Sequence, residues 1–287
     1  MNYSALIQNR KSVREFSDKY VSFADMDAIK AYFNKARRLV PELKTELRLF
    51  GLDTRAVLEG AAGYKQFLVG APQYMVLLSE KGPQFEENAG YLMEDLILKL
   101  TEMGLDTCWL TFTDSEYVKS ALEIESELEV AAIAAFGYGV KTTKRLRLNF
   151  LSMKNVDDAA KRRYMEPKRS VSELVSLDSW GNRQGVEEYI GFYDDMLWEA
   201  LYAVSQAPSY LNRQAYGFVL HGGQISLIST PDEHTLEIDA RLSLGIALLH
   251  FTAVAENWAG KLQWRFGGEA AKLELPEGYA VVATCAL

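Results

Sequence analysis

Two short runs of the chain hold most of the residues that could do chemistry. Arg10-Lys11-Ser12-Val13-Arg14-Glu15-Phe16 places three cations and a hydroxyl within five residues of an acidic protein. Arginine can clamp a phosphate through two parallel N–H bonds and lysine supplies a point charge, so the run reads as an anion cradle. On pattern alone it also reads as a solvated basic turn. The second run, Ala207-Pro208-Ser209-Tyr210-Leu211-Asn212-Arg213-Gln214, is rich in hydroxyl and amide groups. Such groups both donate and accept, which suits the edge of a heteroaromatic ring and a polyol chain. Its local alternative is that Pro208 ends a helix while Ser209 and Asn212 cap the following turn.

Other constellations fail. No G-x-G-x-x-G, G-x-x-x-x-G-K-[ST] or G-x-S-x-G occurs, so a dinucleotide Rossmann site, a P-loop and a nucleophile elbow are unsupported. His221, His234 and His250 have no metal-ligand spacing with one another or with a cysteine. Cys108 and Cys285 lie in apolar runs and read as buried free thiols. The carboxylates of EEN and MEDL, at helical spacing, read as solvated or capping groups. The tryptophans and tyrosines near 178–202 read as core.

The elements that must position the two runs form a repeated series. A helical apolar period over 24–37 precedes an alternating strand at 46–51 and a buried strand at 73–79. A long helix near 86–103 is stopped by Gly104, and a CWLTF segment follows. Asp114 then caps a helix, and 129–137 reads as a central strand. The series recurs as a helix over 185–206, a strand at 215–220, a hairpin turn at His221-Gly222-Gly223 and a return strand ISLIST. A helix at 238–257 halted near Gly260 and a terminal strand YAVVATCAL complete it. We read an internal duplication of a whole α+β domain: 1–150, a basic connector over 151–184, and 185–287.

Composition is compatible with two cores and narrows the partners. The 287 residues are 48% hydrophobic, with formal charge −8 and a pI near 5.1. An acidic surface argues against general nucleic-acid binding. The charged N-terminus has no apolar h-region, and apolar stretches such as 243–255 fall short of a bilayer span. No membrane partner and a cytoplasmic setting are expected.

Arg10–Phe16, Pro208–Ala215 and Gly104–Leu110 together resemble the FMN-dependent nitroreductase family, whose members carry R-[RK]-S-x-R-x-[FY], P-S-x-x-N-x-Q-[PA] and G-L-x-[ST]-C-W-[LI]. Asp239–His250 is similar to the family's D-x-G-x-A-x-x-H helix start, in a longer form. The resemblance covers nearly the whole chain outside the 140–165 connector. It implies an α+β, nitroreductase-like fold: two diverged copies in one chain, a pseudo-dimer of mainly antiparallel sheets wrapped by helices. In the family, two subunits share each FMN, so one polypeptide here would supply both half-sites and is expected to be a monomer. Setting Pro41 against Pro208 puts Glu42, Thr45 and Leu47 where Ser209, Asn212 and Gln214 stand, and the second copy lacks an RKSxR run. One complete site is therefore expected.

By the same resemblance, Arg10, Lys11, Ser12 and Arg14 would hold the FMN phosphate and ribityl chain. Pro208, Ser209, Asn212 and Gln214 would face the isoalloxazine, with Trp109, Leu110 and Thr111 passing beside the ring. Thr111-Phe112 stands where the family has a glycine or glutamate. A late basic pair near the phosphate fits Lys168-Arg169, with Lys144-Arg145 the competing choice. The implied activity is ping-pong hydride transfer from NAD(P)H through FMN to a small electron-poor acceptor, such as a nitroaromatic or quinone. The alternative is a flavin-binding protein without physiological turnover.

Overall fold

The computed structural model describes residues 1–51, 53–63, 67–140, 166–193, 195–268 and 270–287. The chain divides into two compact units, Met1–Thr142 and Thr143–Leu287.

The first unit runs α1 (Tyr3–Asn9), α2 (Phe23–Phe33), β1 (Thr45–Phe50), α3 (Thr54–Leu58) and β2 (Gln73–Ser79). It continues with α4 (Phe85–Glu102), β3 (Asp106–Leu110), α5 (Ser115–Ala121) and β4 (Glu129–Gly137). Its sheet has the order β1-β2-β4-β3, antiparallel throughout. Every residue of β2 is buried, which accounts for its unbroken apolar reading. The alanines of β4 (Ala131, Ala132, Ala134 and Ala135) are fully buried and small, and α4 packs on this strand. Leu92, Leu96 and Leu98 of α4 are also completely buried, each worth about 1.5–3 kcal/mol relative to exposure. Gly104, at φ +77°, takes the left-handed turn that ends α4. Asp114 caps α5 by accepting the Tyr117 N–H at 3.0 Å.

The second unit runs α6 (Val171–Leu174), β5 (Val175–Leu177), α7 (Val186–Tyr193), α8 (Asp195–Ser205) and β6 (Tyr216–His221). It continues with β7 (Gln224–Ser229), α9 (Glu237–Ala255), β8 (Arg265–Phe266) and β9 (Ala280–Ala286). The helix expected over 185–206 corresponds to α7 and α8, with residue 194 outside the described set. The sheet order is β5-β6-β7-β9-β8, where β5 is the parallel addition and the other pairs are antiparallel. Gly222 and Gly223 both have positive φ, as a two-residue hairpin turn requires.

Set aside β5, and the two sheets have the same strand order. The likeness extends to a defect. The β2–β4 ladder slips between Leu77 and Leu78, and the β7–β9 ladder slips between Leu227 and Ile228. In each copy the slip lies just before the serine that closes the strand, Ser79 or Ser229. A bulge bends its strand and is kept as a feature of a fold, so this match supports the duplication independently of the element order.

Two expectations about side chains are corrected. Three of the four acids in the EEN and MEDL runs of α4 are not solvated: Glu87, Glu94 and Asp95 are buried in the fold, and only Glu86 is half-buried. Asp95 accepts hydroxyls from Tyr3 at 2.8 Å and Tyr32 at 2.9 Å, and the Arg37 N–H at 3.0 Å. Among the aromatics near 178–202, Trp180 joins a small core cluster, whereas Tyr189, Trp198 and Tyr202 are exposed. Helix α9, by length and composition alone, could cross a membrane, but it is mostly buried inside the fold. It packs on α8, with His250 Nδ1 2.8 Å from the Ala203 carbonyl.

Candidate functional site

In the first unit the basic run is an extended strap. Ser12 bridges in parallel to Thr107 of β3, and the Val13 N–H donates to the Thr107 carbonyl at 2.9 Å. Farther along, Ser17 N–H donates to Tyr138 and Val140 N–H to Glu15, continuing past the end of β4. Thus backbone pairing fixes the strap, and the side chains are left for other work. Lys11, Ser12 and Arg14 are exposed. Among the described residues, Lys11 and Arg14 make no side-chain hydrogen bond or ion pair.

Arg10 differs from them. Its side chain is only 7% exposed, and Nε lies 3.4 Å from Glu94 Oε1, a side chain with no exposure at all. Its Nη1 faces the Ser12 hydroxyl at 3.4 Å. The other Glu94 oxygen accepts the Trp109 indole N–H at 2.8 Å. Arg10 and Trp109, expected from the resemblance, are therefore joined by a residue that sequence reasoning passed over. The available signal was an acid flanked on its helix face by Tyr91 and Leu98, with no basic neighbour one turn away. Leu110 is buried, and the Thr111 carbonyl accepts the Gly63 N–H at 2.7 Å. Burial raises the Cys108 thiol above its ordinary range, against the opposing pull of Arg14 and Arg10.

In the second unit the polar loop between α8 and β6 is held in an unusual backbone. Leu211, Asn212 and Gln214 all have positive φ, at 49°, 57° and 42°. For non-glycine residues this region is costly and persists only where the surroundings enforce it. Several bonds do so. Ser209 Oγ accepts the Gln214 N–H at 3.0 Å. The Gln214 side chain is fully buried: its oxygen accepts Arg169 N–H at 2.9 Å, and its nitrogen donates to the Ser205 carbonyl at 3.1 Å. Arg213 donates from Nη2 to Asp232 at 2.7 Å and from Nη1 to Glu166 at 3.1 Å. Hydrogen bonding to Asp232 raises the Arg213 pKa.

Lys168 and Arg169 serve the same loop. Lys168 Nζ donates to the Ala207 carbonyl. Arg169 gives its guanidinium to the carbonyls of Gln214, Tyr216 and Glu173, at 3.2, 3.1 and 2.8 Å. Burial, then the nearby Arg183, lowers the Arg169 pKa. These two cations and Arg213 line an open polar cleft of about 340 Å³, with Glu166 and Glu173 on its walls. Pro208 is buried, and Asn212 is half-buried with a side-chain amide that bonds to nothing among the described residues. Lys144 and Arg145 lie outside those residues.

The structure thus brings the site residues into two groups. Arg10 and Trp109 meet at Glu94 with Ser12 beside Arg10, and Lys168, Arg169 and Pro208–Gln214 form one loop assembly. The repeated antiparallel sheet with its buried long helix, in both copies, defines a nitroreductase-like α+β fold. The family profile described as "Putative TM nitroreductase" matches residues 2–255, and the chain belongs to this family. A Thermotoga maritima structure described as a "putative nitroreductase" is 19% identical, with a TM-score of 0.59 over 100% of this chain and 94% of its own. It shares the fold. Two shorter structures also match. A nitroreductase family protein of Clostridium difficile 630 is 17% identical over 54% of this chain and 96% of its own, TM-score 0.42. An FMN-dependent nitroreductase of Clostridium difficile R20291 is 18% identical over 52% and 98%, TM-score 0.41. No curated protein matches the chain.

Proposed function

We propose that this chain is an FMN-dependent NAD(P)H oxidoreductase that passes hydride to a small electron-poor acceptor, with one FMN per chain. The observation that carries this reading is the Asn212 amide. Among the described residues it is uncommitted, and it is presented by a loop that the protein forces into three left-handed conformations and pins at both ends. Strain of this kind gathers at functional sites.

The residues present fit the group. Lys11 and Arg14 are two cations with no hydrogen bond or ion pair among the described residues, matched to a phosphate of about −1.5 to −2 charge. Ser12 adds a hydroxyl beside them, oriented by the strap. Asn212 can donate and accept at a ring edge, as a heteroaromatic with alternating donors and acceptors requires. In this reading Gln214, Lys168, Arg169 and Pro208 shape the loop from inside, since their polar groups are bonded or their rings buried. Trp109 and Leu110 end β3, and Thr111 continues the backbone segment just beyond it.

Bound FMN would supply the hydride chemistry, which no side chain of this protein can perform. The protein would orient the group through Asn212 and neutralise its phosphate with Lys11 and Arg14. No general acid is assigned, and the reaction class needs none.

The test is the visible spectrum of the purified protein, with the released chromophore identified by mass. NAD(P)H oxidation is then followed with a quinone or a nitroaromatic. FMN near one per chain together with sustained NAD(P)H oxidation supports the proposal. Flavin without turnover would make this a binding protein, and a colourless protein that takes up no added FMN would remove the reading.

A further inference from the structure

We infer that Glu94 is a positioning residue that sets Arg10 for its anion, an inference that rests on the FMN reading above. Three observations carry it.

The first is placement. Glu94 is completely buried, and its two oxygens face different partners: Arg10 Nε at 3.4 Å and Trp109 Nε1 at 2.8 Å. A carboxylate out of water is costly unless paired and hydrogen-bonded, and here both conditions are met by motif residues. With Nε turned inward to Glu94, the guanidinium directs Nη1 to the Ser12 hydroxyl, toward the exposed row of the strap.

The second is the duplicate. In the other copy Trp264 occupies the matching place before β8, and its indole N–H donates to Thr252 Oγ1 of α9 at 2.8 Å. A neutral hydroxyl therefore satisfies the indole. The copy with the basic run has an acid at this contact, and the copy without that run does not. Glu94 goes with Arg10, and Trp109 alone does not account for it.

The third is charge. The cradle has three cations, and Glu94 cancels the innermost. Lys11 and Arg14 are left to balance a phosphate dianion, while Arg10 becomes an oriented donor instead of a mobile charge.

The experiment compares FMN with riboflavin, which lacks the phosphate. Both are titrated against flavin-free full-length protein by fluorescence quenching. The proteins are wild type, Glu94→Gln, Arg10→Gln and the double variant, each with its thermal melt recorded. The ratio of FMN to riboflavin affinity should fall about tenfold in Glu94→Gln, the scale of one charge-assisted hydrogen bond. In the Arg10→Gln background, Glu94→Gln should add nothing. Equal losses for both ligands, an unchanged ratio or additive losses would overturn the inference. Should Glu94→Gln not fold, Glu94→Asp retains the charge with a shorter reach, and its ratio should still fall; an unchanged ratio there has the same adverse meaning. Wild type that binds neither flavin would fell the FMN reading itself, whereas wild type that binds FMN with an unaltered ratio in the variants removes only the role of Glu94.

Discussion

Ser209 closes its loop on Gln214: the serine hydroxyl accepts the Gln214 amide N–H at 3.0 Å, five residues ahead. That bond encloses Asn212 and helps hold it at φ 57°. The loop can therefore be tested in two parts, its side chain and its backbone. Asn212→Gly keeps the left-handed geometry and removes the amide; Asn212→Ala removes the amide and adds about 1 kcal/mol of strain. Both substitutions should weaken flavin binding by a similar factor, on the order of tenfold for a lost hydrogen bond at a buried ring edge. The alanine variant alone should lose stability in urea denaturation. Retention of full flavin affinity by the glycine variant would exclude the amide as a ligand contact.

Arg14 is exposed and bonds to nothing among the described residues, so its removal should leave the melting temperature alone. Arg14→Ala is expected to lower FMN affinity roughly tenfold or more, the worth of a charge-assisted bond to phosphate, and to spare riboflavin. Isothermal titration at two salt concentrations would also show a shallower salt dependence than in wild type.

Gly217 of β6 has no room for a side chain. A Cβ there would lie 2.6 Å from the Trp180 ring and 2.9 Å from the Leu174 carbonyl. Gly217→Ala should destabilise the second unit by about 1–3 kcal/mol through overpacking. The measurement is the urea midpoint, and an unchanged midpoint would mean that Trp180 can move aside without cost.

Asp232 gives the second unit an acid limit. Burial pushes its carboxyl up, but the bonds from Arg213, Thr235 and the His234 N–H outweigh this and hold it below the ordinary range. A depressed folded value means that the group stabilises the protein above the unfolded pKa of about 3.9. That contribution is lost as pH falls through the lower folded value. Thermal melts from pH 7 to pH 3 should steepen downward below about pH 4, and Asp232→Asn should flatten this limb.

Much of this architecture was legible in the residues. The strand reading of 73–79, the stop at Gly104, the cap at Asp114 and the hairpin at Gly222-Gly223 depend on neighbours close in sequence, and each is found. The duplication was legible for the same reason, as a repeated order of local patterns. The burial of Glu94 and Asp95 was not. Their partners, Trp109, Tyr3 and Tyr32, lie 15, 92 and 63 residues away, and helical spacing alone makes such acids look like a wet face. Nor could a sequence show the direction of Gln214, whose amide turns inward to Ser205 and Arg169. The left-handed turn at Leu211 was equally hidden, because no glycine stands there to announce it.

The strap along β3 has a consequence beyond ligand contact. It pairs with the strand that ends the first sheet, where unpaired backbone groups would otherwise invite a strand from another molecule. The residues proposed to grip a phosphate thus sit on the segment that shields this edge. A bound anion that holds Lys11 and Arg14 also holds the shield in place, by simple mass action. On the proposed reading, cofactor supply and resistance to aggregation would be linked in this chain: starved of its ligand, the protein should be the quicker to cross-associate through its own sheet.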